Sequence, residues 1–364
     1  MKNRRVHFFF GCVCAIAFGS AALAAAEAVG TAPAISAAEM QRVYNEVKTP
    51  FKYGIVVRPE AGEVVDCPSV FRAGEKWFMA CVVNKDKVGY ETLLAESADL
   101  INWKPLGKIL PFAQSGWDAW QGDGGFALVD HEWGGSAKLQ NFAGKYWMTY
   151  IGGAQHGYEP DPLAMGLAWT TTPTEAKPWT RLPENPILAP GDKDVRAFEA
   201  KTLYKSQVIW DRAATLGAPF VMFYNGKELG GGGHEKIGMA ISQDMTHWQR
   251  YGAEPVIANV GESKWAISGD PQIVRLGDLW VMFYFGAFWR PNAFDTFAVS
   301  RDLVHWTKWD GPDLIAPSEP WDKQFAHKPW VLKHDGVVYH FYCAVGTEGR
   351  AIALATSRDL RAKK

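Results

Sequence analysis

The sequence predicts an all-β fold, a five-bladed β-propeller with a short N-terminal helical extension. Three observations support this prediction. A Ser-x-Asp motif recurs along the chain, an apolar hairpin pattern precedes its copies, and aromatic residues are abundant, with 17 Trp among 364 residues. Internal repetition of this kind indicates a repeat architecture, and radial repetition in a propeller leaves only short sheet edges.

The Ser-x-Asp motif ends in Trp in its three full copies, at residues 97–103, 242–248 and 300–306. A truncated copy lies at residues 357–360, and a degenerate copy lies at residues 170–179. Ser and Asp side chains hydrogen-bond backbone groups in turns, and Trp packs well between sheets. The motif therefore defines the fold, and we assign it no chemistry.

Five hairpins accompany these copies, each with a turn between β-branched and aromatic runs. The hairpins begin near Val65, Gly134, Ala197, Ser268 and Ala326. A hairpin, a third strand before Ser-x-Asp and a fourth strand after Trp make one four-stranded blade. The last copy lacks its fourth strand, and we expect residues 53–57 to supply that strand and close the ring.

The N-terminal residues have the pattern of an export signal. A basic head at residues 2–5 is followed by an apolar run at residues 6–17 and a small-residue cleavage site at residues 22–24. These three features together are typical of a secretory signal peptide. We therefore assign residues 1–26 to a signal peptide and expect a periplasmic or secreted protein.

The mature chain divides into a short extension and one large domain. Residues 27–60 form the helical extension and the closing strand, and residues 61–364 form the propeller. Ser36 can cap a helix that runs to about Val47, with apolar residues at helical spacing. This helix is expected to pack across the propeller or against a partner subunit, which would make a homodimer.

Composition excludes several classes of partner. The formal net charge is −1, so no basic face is expected to bind nucleic acid. No apolar run is long enough to predict a membrane span. Only Cys67, Cys81 and Cys343 follow the signal segment, so no disulfide framework is expected to hold the fold.

Charged residues mark the predicted starts of the innermost strands, which line the axial funnel of a propeller. Aligning the hairpins on their turns places the following residues at equivalent positions: Pro68, Ala137, Ala200, Pro271 and Pro329. The ionisable residues just before these positions are Asp66, Glu199, Asp270, His327 and Lys328. Such residues at the start of apolar strands are typical of a binding mouth.

Asp66, Glu199 and Asp270 are our candidate catalytic residues. Glycoside hydrolysis needs two carboxyl groups, one protonated to assist the leaving group and one ionised to activate water or attack directly. Crowding of carboxyls in a confined site raises one pKa, which keeps that acid protonated near neutral pH. The alternative is that these acids cap strand ends or hold a structural ion.

Further residues are candidates for substrate binding. Asp123 lies in a Gly-rich segment that enters the second blade, and His327 stands at the start of a funnel strand. Lys138, Lys201 and Lys328 recur near the predicted funnel. These lysines can pair with the acids, bind a uronate or sulfate, or hold phosphate.

These motifs resemble those of the five-bladed glycoside hydrolases of families 43 and 117. The resemblance lies in the sequence DCPSV at residues 66–70, in Glu199 and Asp270 on later blades, and in HKP at residues 327–329. It implies that Asp66 is the general base, Glu199 the general acid, and Asp270 the residue that orients the substrate or tunes the acid. It also implies that no cofactor is required, although a structural metal ion can occupy the central channel.

We therefore expect an exo-acting, inverting glycoside hydrolase that removes a terminal sugar from a plant or algal oligosaccharide or polysaccharide. Two alternatives stay open. A cationic funnel would suit a phosphorylase similar to family 130, although export argues against retention of its sugar phosphate. A secreted, non-catalytic sugar-binding propeller would keep the aromatic residues without needing an acid and base pair.

Overall fold

The computed structural model describes residues 34–230, 232–259 and 265–361, so the predicted signal peptide lies outside the described residues. Residues 32–364 belong to one compact unit. Strands dominate the described ranges, which confirms the all-β prediction. No helix within these ranges is both long and apolar enough to cross a membrane. The three cysteines within them are free thiols.

Helix α1 (Ala37–Val47) begins at the predicted cap. The Ser36 hydroxyl accepts a hydrogen bond from the Glu39 amide at 3.2 Å, and the Glu39 carboxylate accepts one from the Ser36 amide at 2.9 Å. The buried residues of α1 share an apolar cluster with strand residues such as Val281 and Val331. The helix thus packs against its own chain, one of the two arrangements expected from the sequence.

The strands pair in antiparallel groups of four. In chain order they are β1 (Phe51–Val57); β2 (Glu63–Ala73), β3 (Lys76–Lys85), β4 (Tyr90–Ser97) and β5 (Trp103–Leu110); β6 (Gln121–Phe126), β7 (Tyr146–Gly153), β8 (Ala164–Thr170) and β9 (Thr180–Arg181); β10 (Thr202–Trp210), β11 (Phe220–Lys227), β12 (Glu235–Ser242) and β13 (Gln249–Tyr251); β14 (Ile267–Leu276), β15 (Leu279–Ala287), β16 (Ala293–Ser300) and β17 (Thr307–Lys308); β18 (Phe325–His334), β19 (Val337–Gly346) and β20 (Gly349–Thr356). Short 3-10 helices lie at Ala197–Glu199 and Pro320–Asp322.

Strand β1 completes the last group by pairing antiparallel with β20. This pairing agrees with the prediction that residues 53–57 supply the strand missing from the final repeat. Two single parallel pairs, Tyr90 with Gln121 and Glu235 with Ile267, join successive groups into larger sheets. The first residues of β6, β12 and β14 therefore lie at the junctions between groups.

The Ser-x-Asp motif has a structural role. In the first copy the Ser97 hydroxyl accepts a hydrogen bond from the Leu100 amide at 3.0 Å, and the Trp103 indole donates to the Leu100 carbonyl at 3.2 Å. Met245 and Leu303 accept the equivalent indole bonds in the other full copies. All three accepting residues have φ between 66° and 70°, a left-handed conformation that these bonds support.

Two innermost strands differ from the sequence prediction. In the second group the inner strand is β6, whereas residues 134–142 form only isolated bridges such as Val129 with Leu139. In the third group a 3-10 helix occupies Ala197–Glu199, so the inner strand begins only at Thr202. The alignment of Ala137 and Ala200 with Pro68 is therefore wrong, because the chain turns before each of these strands starts.

Candidate active site

Three innermost strands share a β-bulge that turns side chains into one cavity. Strands β2, β14 and β18 each show a register shift at the equivalent place. The bulged residues Cys67, Asp270 and Lys328 have φ of 49°, 49° and 63°, and each precedes a proline. A bulge redirects a side chain, and left-handed backbone at non-glycine residues is uncommon outside functional sites. All three residues line the cavity.

Strand β10 has the same register shift, between Leu203 and Ser206. The two residues within this shift are Tyr204 and Lys205, and both line the cavity. Lys205, and not Ala200, therefore occupies the place equivalent to Pro68. This displacement explains why the sequence alignment put Glu199 at the funnel.

The cavity has a volume of about 380 Å³, within the range of small-molecule sites. Charged side chains of both signs face it, together with aromatic rings. The carboxyl groups in its lining are Asp123, Glu159, Glu235 and Asp270. The cations are Lys205, Lys227, Lys328 and Arg350. The aromatic residues are Tyr158, Tyr204, Phe285, Phe288 and Phe325.

Glu159 and Glu235 were not identified in the sequence analysis. Glu159 lies in the loop between β7 and β8 and has the Lys328 ammonium 3.9 Å from its carboxylate. Glu235 is the first residue of β12, and its carboxylate accepts a hydrogen bond from the Asn225 amide at 3.0 Å. Burial raises the pKa of Glu159 to about 7 and that of Glu235 to about 8.

Asp270 and Asp123 contribute the other two carboxyls of the cavity. Burial raises the pKa of Asp270 to about 6, despite the opposing charges of Lys328 and Lys205. Asp123 forms an ion pair with Lys205. The Cys67 thiol lies between the two carboxylates, 3.5 Å from Asp123 and 3.7 Å from Asp270. These predicted site residues thus lie together in the structure.

Asp66 lies behind the cavity wall and is completely buried. Its carboxylate accepts hydrogen bonds from Lys328 at 3.0 Å and from Arg350 at 2.7 Å. Burial alone would raise the pKa of Asp66, but the charges of Lys328 and Arg350 outweigh burial and hold it well below its usual range. Asp66 is therefore ionised and orients two cations that face the cavity.

His327 lines the cavity beside this ion pair. One ring nitrogen, Nδ1, lies 3.1 Å from the Cys343 carbonyl, and the other lies 3.4 Å from the Arg350 guanidinium. Burial, together with the Arg350 charge, lowers the pKa of His327 to about 3. The imidazole is therefore neutral near pH 7, so it can exchange hydrogen bonds without adding charge.

Glu199 does not belong to the cavity lining and is completely buried elsewhere. Its carboxylate pairs with Arg196 at 2.8 Å and with Arg250, and it accepts a hydrogen bond from the Tyr224 hydroxyl at 2.8 Å. Burial opposes ionisation, but Arg196 and Arg250 outweigh it and lower the pKa of Glu199. A general acid must hold a proton, so this environment argues against the role expected for Glu199.

The remaining two lysines of the sequence analysis also lie outside the cavity. Lys138 is exposed, and only its backbone has a described role, accepting a hydrogen bond from the Asp130 amide at 2.8 Å. Lys201 pairs with Asp161 at 3.1 Å. Lys201 lines a second, adjoining cavity of about 680 Å³. The misplaced strand starts account for both differences.

The structure provides no support for the structural metal ion. Within the described ranges, no three His, Cys, Asp or Glu side chains are grouped so that they could hold a metal ion. Below the cavity, the side-chain amides of Gln207 and Gln272 bond the backbone of Ile273 and Val331. These residues do not fit a cation site.

Two solved structures are similar to this chain in both sequence and fold. One is a complex of BT0996 with RGII, and the other is named as a glycoside hydrolase. Each shares 48% sequence identity with this chain at a TM-score of 0.86, over 90% of this chain and 97% of its own. No protein-family model matches the sequence, and no curated protein matches it.

A more distant structure shows likeness of fold alone. It is Zg3597, a family 117 glycoside hydrolase of the marine bacterium Zobellia galactanivorans, which shares 16% identity at a TM-score of 0.59. This match covers 88% of the present chain and 94% of the chain of Zg3597. The whole strand arrangement is thus similar to that of a propeller-type protein.

Proposed function

Because this chain belongs to the glycoside hydrolases, we propose that its charged cavity removes a terminal sugar from an oligosaccharide. The principal support is the presence of two buried glutamic acids, Glu159 and Glu235, on the wall of one cavity. Hydrolysis of a glycosidic bond needs one protonated and one ionised carboxyl. The similar structure of BT0996 is named as a complex with RGII, which makes that glycan our proposed substrate class.

Glu235 is the general acid of this proposal. Its carboxylate is held by the neutral Asn225 amide, and burial raises its pKa to about 8, so it is protonated at neutral pH. Asp270 lies nearby and raises the pKa of Glu235 further by repulsion between like charges. Asp270 therefore tunes the acid, the role expected for it from the sequence.

Glu159 is the general base. The Lys328 ammonium, 3.9 Å away, favours its carboxylate form over that of Glu235. In the proposed inverting reaction Glu159 takes a proton from water, the water oxygen attacks the anomeric carbon, and the bond to the leaving oxygen breaks. Glu235 gives its proton to that oxygen. Asp66 acts only through the cations that it positions.

The exo mode is supported by the size of the cavity. A volume of about 380 Å³ lies at the lower end of the range for ligand sites. Such a cavity suits one terminal sugar better than an internal stretch of polymer. Aromatic rings in its lining, such as Tyr158 and Phe288, offer flat apolar faces to a sugar ring.

Phosphorolysis is less favoured by the charge arrangement. Each cation in the cavity lining already faces a carboxylate. The pairs are Lys205 with Asp123, Lys227 with Asp161, and both Lys328 and Arg350 with Asp66. A phosphate dianion would have to compete with these carboxylates. A purely sugar-binding protein, in turn, would not need two glutamic acids of raised pKa.

Three structural proposals accompany the function. The antiparallel groups of strands are the five blades of one propeller, spanning residues 61–364 with the extension at residues 27–60. Residues 1–26 are removed on export to the periplasm or the medium, as their sequence pattern suggests. A homodimer through α1 would use the side of this helix that does not pack on the strands.

Incubation with an RGII oligosaccharide is expected to release one monosaccharide without added phosphate. The reason is that water, activated by Glu159, is the acceptor in the proposed reaction. Chromatography of the products identifies the released sugar, and proton NMR of its first-formed anomer tests inversion. A requirement for phosphate, or binding without release across a panel of plant and algal oligosaccharides, would overturn the proposal.

The pH dependence of kcat/KM should be bell-shaped with its maximum between about 7 and 8. Activity rises as Glu159 loses its proton through a pKa of about 7, and falls as Glu235 loses its proton through a pKa of about 8. The two limbs describe the interacting pair. A maximum near pH 4, where ordinary glutamates titrate, would contradict the assignment.

A further inference from the structure

A second cavity adjoins the first and shares part of its wall. The shared residues are Lys227, Glu235, Ile267 and Phe288. Its other lining residues include Lys201, Glu228 and Trp265, and its volume is about 680 Å³. Glu235 thus faces both cavities, which places the proposed acid at their boundary.

The position of Glu235 assigns a role to each side. A general acid gives its proton to the oxygen that leaves with the departing sugar. If the terminal sugar occupies the smaller cavity, the scissile oxygen lies at Glu235 and the next sugar lies in the larger one. This step rests on the proposed glycoside hydrolysis.

The larger cavity offers aromatic surface to such a sugar. Trp265 is 66% exposed and Phe288 is 43% exposed, both unusually high for large apolar side chains on the wall of a cavity. Flat aromatic faces contact the apolar faces of sugar rings. Both rings are therefore available to support the sugar that departs.

Charge in the larger cavity is unbalanced. Lys201 and Lys227 share one carboxylate oxygen of Asp161, at 3.1 and 3.6 Å. The other acid, Glu228, is matched by Lys236 at 2.9 Å. Two ammonium groups against one carboxylate leave one positive charge. The Lys201 side chain is 39% exposed, so its ammonium group can also contact a ligand.

We propose that the larger cavity binds a leaving-group sugar carrying a single negative charge, recognised by Lys201 and Lys227. The chemical group is a carboxylate, as in a uronic acid, or a sulfate ester. One excess positive charge matches one negative charge. The same lysines favour the acidic sugar over its neutral counterpart, so the site selects the residue that follows the scissile bond.

The test compares the binding of glucuronic acid, glucose and glucose 6-sulfate to the full mature chain, using calorimetry or saturation-transfer NMR. Glucuronic acid should bind roughly 2- to 5-fold tighter than glucose, as expected of a partly exposed ion pair. The preference should weaken between about 10 mM and 1 M salt, because salt screens exposed charges. Tighter binding of the sulfate, the carboxylate or both supports the proposal and identifies the group.

Variants locate this preference. Lys201→Gln should abolish it, because Lys201 lines only the larger cavity, and Lys201→Arg should retain it because the charge remains. Lys236→Gln is the matched control, since Lys236 belongs to neither cavity lining, and should also retain it. Equal binding of glucuronic acid and glucose, or a preference that survives Lys201→Gln, would overturn the proposal. Since binding needs no turnover, a failure of the hydrolysis experiment is distinguishable from a failure of this one.

Discussion

Glu235→Gln is expected to lower kcat/KM for the oligosaccharide roughly 10²- to 10⁴-fold, the usual contribution of one general acid or base. The amide keeps the shape of the side chain and can still face Asn225, but it has no acidic proton to give to the leaving oxygen. Glu159→Gln should produce a loss of similar size, because the amide cannot take a proton from water. Steady-state kinetics on the released sugar measures both losses.

The leaving group separates the two roles. A dinitrophenyl glycoside of the same sugar needs little protonation to depart, so Glu235→Gln should recover most activity on it. Glu159→Gln should not recover, because water still requires a base. Glu96→Gln is the control, since Glu96 pairs with Lys76 away from both cavities. The reverse pattern of recovery would exchange the assignments, and retained activity in both variants would refute them.

Asp66→Asn is expected to lower the free energy of unfolding by about 3–5 kcal/mol, the usual result of breaking a buried ion pair. The substitution leaves the largely buried Lys328 and Arg350 without the charge that faces both of them. Both cations also line the cavity, so kcat/KM should fall as well. Chemical denaturation followed by tryptophan fluorescence measures the stability.

The sign of the acid response provides a second check on Asp66. Its pKa is lowered in the folded protein, so its stabilising effect is full above its ordinary pKa of about 3.9 and is lost as the pH falls below it. The Asn variant should lack this loss. Glu348→Gln removes the exposed pair with Arg58 and should cost at most about 1 kcal/mol. Equal effects of the two substitutions would show that Asp66 has no special role.

Much of the fold was predictable because it is encoded locally. The Ser-x-Asp-Trp repeats form the same turn in each full copy, with left-handed backbone at Leu100, Met245 and Leu303. The Ser36 cap and the helical spacing of apolar residues predicted α1 correctly. Local hydrogen bonds and periodicity depend only on neighbours along the chain, so they can be recognised without coordinates.

The candidate site was predicted in part. Asp123, Asp270, His327 and Lys328 line the cavity, as strand-start residues of a propeller should. Glu199 was misplaced by a shift of five positions along its strand, because no turn residue near Ala200 reveals the 3-10 helix. Asp66 was placed one residue away from the bulge, and successive residues of a strand point to opposite sides.

The sequence by itself determined the repeats, the closing strand and which inner strands hold charged residues near their starts. Only the tertiary structure brought Glu159, from a loop without periodicity, and Glu235, from the start of a third strand, to the same cavity. It also decided which acids keep their protons, since burial and the distance to Lys328 set those pKa values. The physical reason is that desolvation and charge pairing depend on separation in space, which sequence spacing does not specify.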